Sequence, residues 1–251
     1  MYRKLLLTLW VLLALTAVLA GCKDEEVTET ALDAFVARIG DLTAEAMNDT
    51  LMVLAAGGAP NNAYANYLLG NYVYGEASDA AVGVGWGDPG VNALMDSAEV
   101  YFNIAVSQDS TFLEPMVNLG SLWDDRAEQM GSRAVRDSRL AEAKKYYELA
   151  LSVDPSDEKA RCNLGSLYLR QRRVMEAKTE FLKVLEYDEQ SPLAHYNLAI
   201  MFAEQKIYRE AIAEWKLASE YDPDGDIGQR SRDNVQIVQD LMNAPDLGGV
   251  K

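Results

Sequence analysis

The sequence predicts an all-α chain built as an array of stacked antiparallel helix pairs, and three observations carry that prediction. Ala143, Ala177 and Ala211 recur at a step of 34, and Tyr147, Phe181 and Trp215 follow each of them by four residues. Leu164-Gly165 with Tyr168 returns as Leu198-Ala199 with Phe202 at the same step. Asp109, Asp154, Asp188 and Asp222 punctuate the chain at steps of 45, 34 and 34. A fixed period of this size marks a stack of like units, because one helix pair cannot bury its apolar face alone.

Each recurring residue type has a physical reason to be there. The small residue of the first helix (Gly120, Gly165, Ala199) and the alanine of the second let two helices approach closely, and the aromatic fills the gap beside them. Pro60, Pro155 and Pro223 fall at unit ends, where a residue without an N–H stops a helix. Upstream, Leu119-Gly120 with Trp123 and Leu69-Gly70 open further units. The steps from Gly70 to Gly120 and from Ala98 to Ala143 are 50 and 45, so two units carry 16 and 11 extra residues. The eleven equal three turns at about 3.67 residues per turn, so extended helices are expected across Asp124 to Leu140, with Gly131 near the bend and the buried face preserved. The sixteen contain Gly75, Gly83, Gly85, Gly87 and Gly90, whose entropy cost predicts an exposed loop or short lid from Gly75 to Pro89.

These motifs together resemble the tetratricopeptide repeat family, whose period and Ala-x-x-x-aromatic pattern they share. The resemblance covers 61–225 as four units, 61–111, 112–157, 158–191 and 192–225, with Ser110 and Glu189 standing where the family has proline. It implies a right-handed superhelical solenoid. Residues 30–60 are expected to add one amphipathic helix (Leu32, Phe35, Val36, Ile39, Leu42, Met47, Leu51, Leu54) ending at Gly57-Gly58, and 226–251 a capping helix and tail.

The N-terminus carries a separate signal. A basic start, Arg3-Lys4, precedes an apolar run from Leu5 to Ala20 that is shorter than a spanning helix needs. Leu19-Ala20-Gly21-Cys22 then resembles the bacterial lipobox. This implies a signal peptide over 1–21, lipidation of Cys22, and a polar tether over 22–29 leading to an envelope-anchored chain. Lys23, where inner-membrane retention signals of some bacteria have Asp, points to the outer membrane, facing the periplasm. Against 39 acidic residues there are 23 basic ones, net −16; losing Arg3 and Lys4 with the signal leaves 21 basic residues and −18. That balance repels phosphate backbones, so nucleic acid is not expected as a partner.

Candidate chemistry is thin. His195 is the lone histidine, so a hydrolytic triad or zinc site has one imidazole to draw on, and a packing role near a helix start is the better reading. Cys162 reads as a small semi-apolar helix residue. Gly83 to Gly87 lacks the spacing and lysine of a phosphate loop, and Asp88-Pro89 reads as the start of the next helix. Asp124-Asp125 reads as solvated or groove-lining charge. No catalytic residues, metal or cofactor are expected. From Lys159 to Met175 five basic residues stand with no acidic one, which suits a carboxylate or acidic peptide, or ion pairs with neighbours such as Glu142, Glu148 or Glu186.

The resemblance places first helices on a concave groove. Asn118, Asn163 and Asn197 then recur in one register, with Lys159, Cys162, Ser166, Arg170, Leu193, Tyr196, Ile200 and Glu204 beside them and Tyr67, Asn71, Tyr74, Ser121 and Asp125 upstream. The expected peptide-binding set is Asn118, Lys159, Asn163, Arg170, Tyr196 and Asn197: amides for an extended backbone, Tyr196 and Tyr74 for stacking, Arg170 for a carboxylate. The alternative is that the asparagines support helix packing. The function expected is a non-enzymatic adaptor of the envelope that binds a protein segment, with assembly of an envelope complex as the role the resemblance allows. The other reading is a small-molecule-binding periplasmic component of a transporter, which a closed apolar pocket would favour.

Overall fold

The computed structural model describes residues 31–40, 42, 44–57, 61–129 and 131–243. Cys22, the signal segment, the tether and the C-terminal tail lie outside the described residues. Eleven α-helices and no strand occur among them: α1 Ala31–Ile39, α2 Ala44–Ala55, α3 Asn61–Val84, α4 Pro89–Gln108, α5 Leu113–Arg126, α6 Arg133–Val153, α7 Glu158–Arg170, α8 Val174–Tyr187, α9 Pro192–Glu204, α10 Tyr208–Tyr221 and α11 Asp226–Asn243. The chain divides into two compact units between Pro115 and Met116, within the first turn of α5.

In the first unit, α1 and α2 lay Phe35, Ile39 and Leu51 on Ala65 and Leu69 of α3. The single helix expected over 30–60 is therefore two. The first ends at Ile39, with Gly40 following in a turn and the Leu42 N–H bonding back to the Ile39 carbonyl. Glycine lacks the side chain that would tie it into a helix interior and there costs about 1 kcal/mol relative to alanine. Folding back lets both short helices bury their apolar residues on α3. Asn66 fixes the α2 end to α3, its Nδ2 donating to the Ala55 carbonyl and to Asn62.

The expected loop over Gly75 to Pro89 is also corrected. α3 continues for 24 residues through Gly75 and Gly83 to Val84. Alanines at 77, 80 and 81 favour helix, and Ala77 and Ala81, one turn apart, are buried. Burial on that face and alanine propensity together offset the glycine cost. The reversal is confined to Gly85 to Asp88. Gly85 adopts φ +85° and donates its N–H to the Ala81 carbonyl, a helix stop that only glycine makes without strain. Asp88 then caps α4 by accepting from the N–H groups of Gly90 and Val91, with Pro89 in the first turn.

The second unit runs through the α5/α6, α7/α8 and α9/α10 pairs to α11. Its turns repeat: the carboxylates of Asp154 and Asp188 accept the N–H two residues on, and Asp109 does the same at the end of α4. Asp157 and Ser191 cap α7 and α9. Within pairs the bend is made by Arg172 and Lys206, both at positive φ. The next N–H, of Arg173 and Ile207, reaches back to the carbonyls of Tyr168 and Phe202. The eleven extra residues lengthen α6 to 21, against 14 in α8 and α10, and Gly131 lies in the connection. However, residues 131–138 are all exposed and burial begins at Leu140, so the added turns of α6 stand in solvent and bury no face. α11 buries Gly228, Ser231 and Val238 and leaves Ile237, Leu241 and Met242 exposed among polar residues such as Gln229, Asp233, Gln236 and Asp240.

The small residue meets the aromatic in every pair. A Cβ added to Gly70 would strike the Phe102 ring, one on Gly120 the Tyr147 ring, and one on Gly165 the Phe181 ring. Ala199 shares a buried cluster with Trp215. Replacing Gly165 by alanine is expected to destabilise the chain by about 2 kcal/mol, because a fully buried ring must move. Gly75→Ala, where the added methyl meets nothing within 4 Å, should stabilise by up to about 1 kcal/mol. Urea denaturation of the two variants checks both the opposite signs and the sizes.

Candidate functional site

The first helices of the second unit, α5, α7 and α9, carry the asparagine register, and the structure joins its members into a ladder. The Asn163 Nδ2 donates to Ser121 Oγ at 3.3 Å, and Ser166 Oγ donates to Asn197 Oδ1 at 3.4 Å. Asn197 Nδ2 in turn donates to the Leu193 carbonyl at 2.9 Å. Asn118 is half-buried one turn before Ser121. The amides of Asn163 and Asn197 thus bind helix to helix first, as the packing alternative had it. Asn163 Oδ1 has no partner among the described residues.

Tyr196 is not open to a ligand. Its ring is buried in the cluster of Ala199, Ala211, Trp215 and Val238, Arg230 lies over it at 5.0 Å, and Asn234 Nδ2 donates to its hydroxyl at 3.4 Å. The cause is α11, which packs against both α9 and α10 and covers the face that Tyr196 presents. Tyr74 and Tyr67 are likewise taken by packing, each against Phe102 at 6.3 Å, with Tyr67 also on Phe112 at 5.0 Å. Cys162 is buried, and burial pushes its thiol pKa up, the opposite of what a nucleophile needs.

Three of the five basic residues are paired internally, though not with the neighbours expected. Arg161 donates to Glu180 at 2.9 Å in a buried pair and to the Pro155 carbonyl. Arg173 pairs with Glu176 and lies over Tyr168 at 4.4 Å. Arg170 donates to Glu128 at 2.5 Å and stands 3.4 Å from Asp124. Lys159 is exposed. Of the expected set, Asn118, Asn163, Arg170 and Asn197 share the first-helix surface of this unit with Lys159 at its edge, and Tyr196 leaves it.

Asp124 is the residue that sequence reasoning undervalued. It is 8% exposed, and burial raises its pKa to about 6 against the pull of Arg170, with Asp125 and Glu128 adding to the rise. Its place one turn after Gly120, on the packing side of α5, was the available signal. A carboxyl whose folded pKa lies above the unfolded 3.8 lowers stability as pH rises from about 4 to 6, and the loss persists above. Asp124→Asn should therefore stabilise the chain by about 1–2 kcal/mol at pH 7 and have little effect near pH 4. Denaturant titration at the two pH values reads this directly.

His195 is structural. Its Nδ1 lies 2.7 Å from Glu214 Oε2 and its Nε2 3.1 Å from the Glu189 carbonyl, two acceptors that only a doubly protonated ring satisfies. Burial works against the charge, but the Glu214 hydrogen bond, the Glu189 carbonyl and the charges of Glu214 and Asp188 outweigh it and raise the pKa. The stabilisation is complete below the unfolded value of 6.5 and fades as pH rises through the raised folded pKa. Chemical denaturation of His195→Gln should show a deficit of about 1 kcal/mol at mildly acid pH that shrinks toward alkaline pH.

Stacked helix pairs with interlocking small and aromatic residues, and a polar strip along the first helices, define a helical repeat protein that works by presenting a surface. The tetratricopeptide repeat family model matches residues 129–177 and 162–224, and this part of the chain is built of tetratricopeptide repeats. Among solved structures, a thermophilic TPR protein of Thermus thermophilus is similar with a TM-score of 0.62 at 16% identity, over 83% of this chain and 99% of that one. At that identity the likeness speaks for the fold alone. Two crystal structures of MamA give TM-scores of 0.48 and 0.41 at 17% and 13% identity, over 78% and 72% of this chain and 97% and 98% of theirs. No curated protein matches the chain. The fold is that of a protein-interaction scaffold.

Proposed function

We propose that the chain is a lipid-anchored adaptor of the bacterial envelope, held at the outer membrane by Cys22, that binds an extended protein segment along α5, α7 and α9 in support of assembling an envelope complex. The observation that carries this reading is the ladder of Asn163 with Ser121 and Asn197 with Ser166. It fixes polar side chains of successive units in one row before any partner arrives, which lowers the ordering cost of binding. Asn163 Oδ1 is left to accept from a partner's backbone N–H, and Arg170, a third exposed at its side chain, retains donors beyond the one given to Glu128. The hollow formed by Asp96, Glu99, Val100, Asn103, Ile104 and Ser107 lies along one face of α4, an open surface of the kind that encloses no small molecule, so the transporter reading draws no support from it.

Replacing Asn163 and Asn197 together with alanine should reduce capture of the native partner in envelope crosslinking by about tenfold, while circular dichroism shows the fold retained. Unchanged capture by the folded variant moves the site away from this row. Intact-mass measurement of the native protein tests the anchor separately, and an unmodified Cys22 or an uncleaved N-terminus overturns it.

A further inference from the structure

The tip of the α3/α4 hairpin has features that its packing does not account for. A Cβ on Gly75, Gly83, Gly85 or Gly87 would meet nothing within 4 Å, and of these only Gly85 takes a positive φ. Gly83 therefore weakens the last turn of α3 with no close contact in return. Val82 and Val84 are 89% and 63% exposed. From Ala80 to Gly87 no side chain is charged, in a chain of which 25% is, and the Trp86 indole supplies the sole side-chain donor. Exposed apolar side chains among glycines suit a surface that comes close to the backbone.

We propose that this tip, through Val82, Val84 and Trp86, docks shallowly into a lipid bilayer surface. Composition favours lipid over a protein partner: a tryptophan beside valines and glycines matches the membrane–water interface, and the segment has no carboxylate, amide or cation with which to fix a protein's register. Geometry agrees, and here the proposal rests on the reading of Cys22 as lipidated. Nine residue steps lead from Cys22 to Ala31, a reach of about 30 Å. α1 packs on α3 at Ala65 and Leu69, and the stretch from Leu69 to Val84 is about 22 Å of helix. An anchor at Cys22 therefore holds the tip within reach of the bilayer. Asp79 and Asp88 flank it, so uncharged headgroups should be preferred to anionic ones.

The test uses the mature chain with Cys22→Ser, mixed with phosphatidylcholine vesicles carrying brominated acyl chains. The signal is the tryptophan emission lost on substituting Trp86→Phe. The expected result is quenching of that component by about threefold, weaker with phosphatidylglycerol vesicles and abolished by Val82→Asp with Val84→Asp. Both valines are exposed, and a thermal melt confirms that the double variant is folded. The lipidated chain in the same vesicles should show stronger quenching of the same component. Because the Cys22→Ser chain needs no anchor, an unlipidated native Cys22 removes the anchor reading and leaves this measurement standing. Absence of quenching in both preparations overturns the proposal, as does equal quenching of the double variant. Tip-dependent dimers in sedimentation, with no quenching, assign the tip to a second copy of the chain instead.

Discussion

The interlock between a small residue on the first helix and an aromatic on the second sets the geometry of every helix pair. Gly70 with Phe102, Gly120 with Tyr147, Gly165 with Phe181 and Ala199 with Trp215 each hold the helix axes close enough for one ring to lie against the opposing backbone. Ala98, Ala143, Ala177 and Ala211, one turn before each ring, are all buried. Since helices packed this tightly cannot slide, the residues on the outer side of each first helix are also fixed. The row of Asn163, Ser166 and Asn197 is in this sense a by-product of the core, placed by rings on its far side.

What could be read in the sequence was whatever is local or strictly periodic. The Asp-led turns at 109, 154 and 188 depend on a side chain bonding an N–H two residues on, which a sequence shows directly. The pairing of Gly165 with Phe181 follows from the period. Phe102 stands four residues after Ala98, so the same rule reaches the first unit despite its extra residues. The illegible parts depend on tertiary contacts. α3 passes through Gly75 and Gly83 because Ala77 and Ala81 are buried, and glycine count alone argued the other way. Tyr196 looked free because its own repeat leaves it free, and α11 covers it. Arg170 looked unpaired in a window without acids, and its carboxylates lie 42 and 46 residues back, at Glu128 and Asp124.

The two enlarged pairs show that extra turns can serve different ends. In α3/α4 both helices grow, to 24 and 20 residues, and burial continues at Ala77, Ala81 and Val91. In α5/α6 growth falls on α6 alone, since α5 keeps 14 residues, so its first two turns have no partner helix to cover. Ser132 caps that helix, and the Arg139 guanidinium donates to the Arg126 carbonyl at 2.7 Å, satisfying the end of α5 from the side. This connection thus orders the turn from which Glu128 reaches Arg170.

Charge follows the same division between core and surface. An acidic chain at net −16 gains little from placing arginines on its outside as isolated cations, and the second unit instead uses them to bridge elements. Arg161 joins α7 to Glu180 of α8 within the buried layer, while Arg170 joins α7 to the end of α5. A buried pair such as Arg161 with Glu180 contributes modestly to net stability, because desolvation cancels most of the attraction, but removing either partner leaves an uncompensated charge. Arg170 differs in being partly exposed and in sharing one nitrogen between two carboxylates, one of which, Asp124, has its pKa raised to about 6 by burial. Of the two, Glu128 makes the closer contact with Arg170, and it sits on an exposed turn. A partner's carboxylate would compete for Arg170 with Glu128 on the solvent side, while the buried Asp124 stays beside the guanidinium and helps to hold it in place.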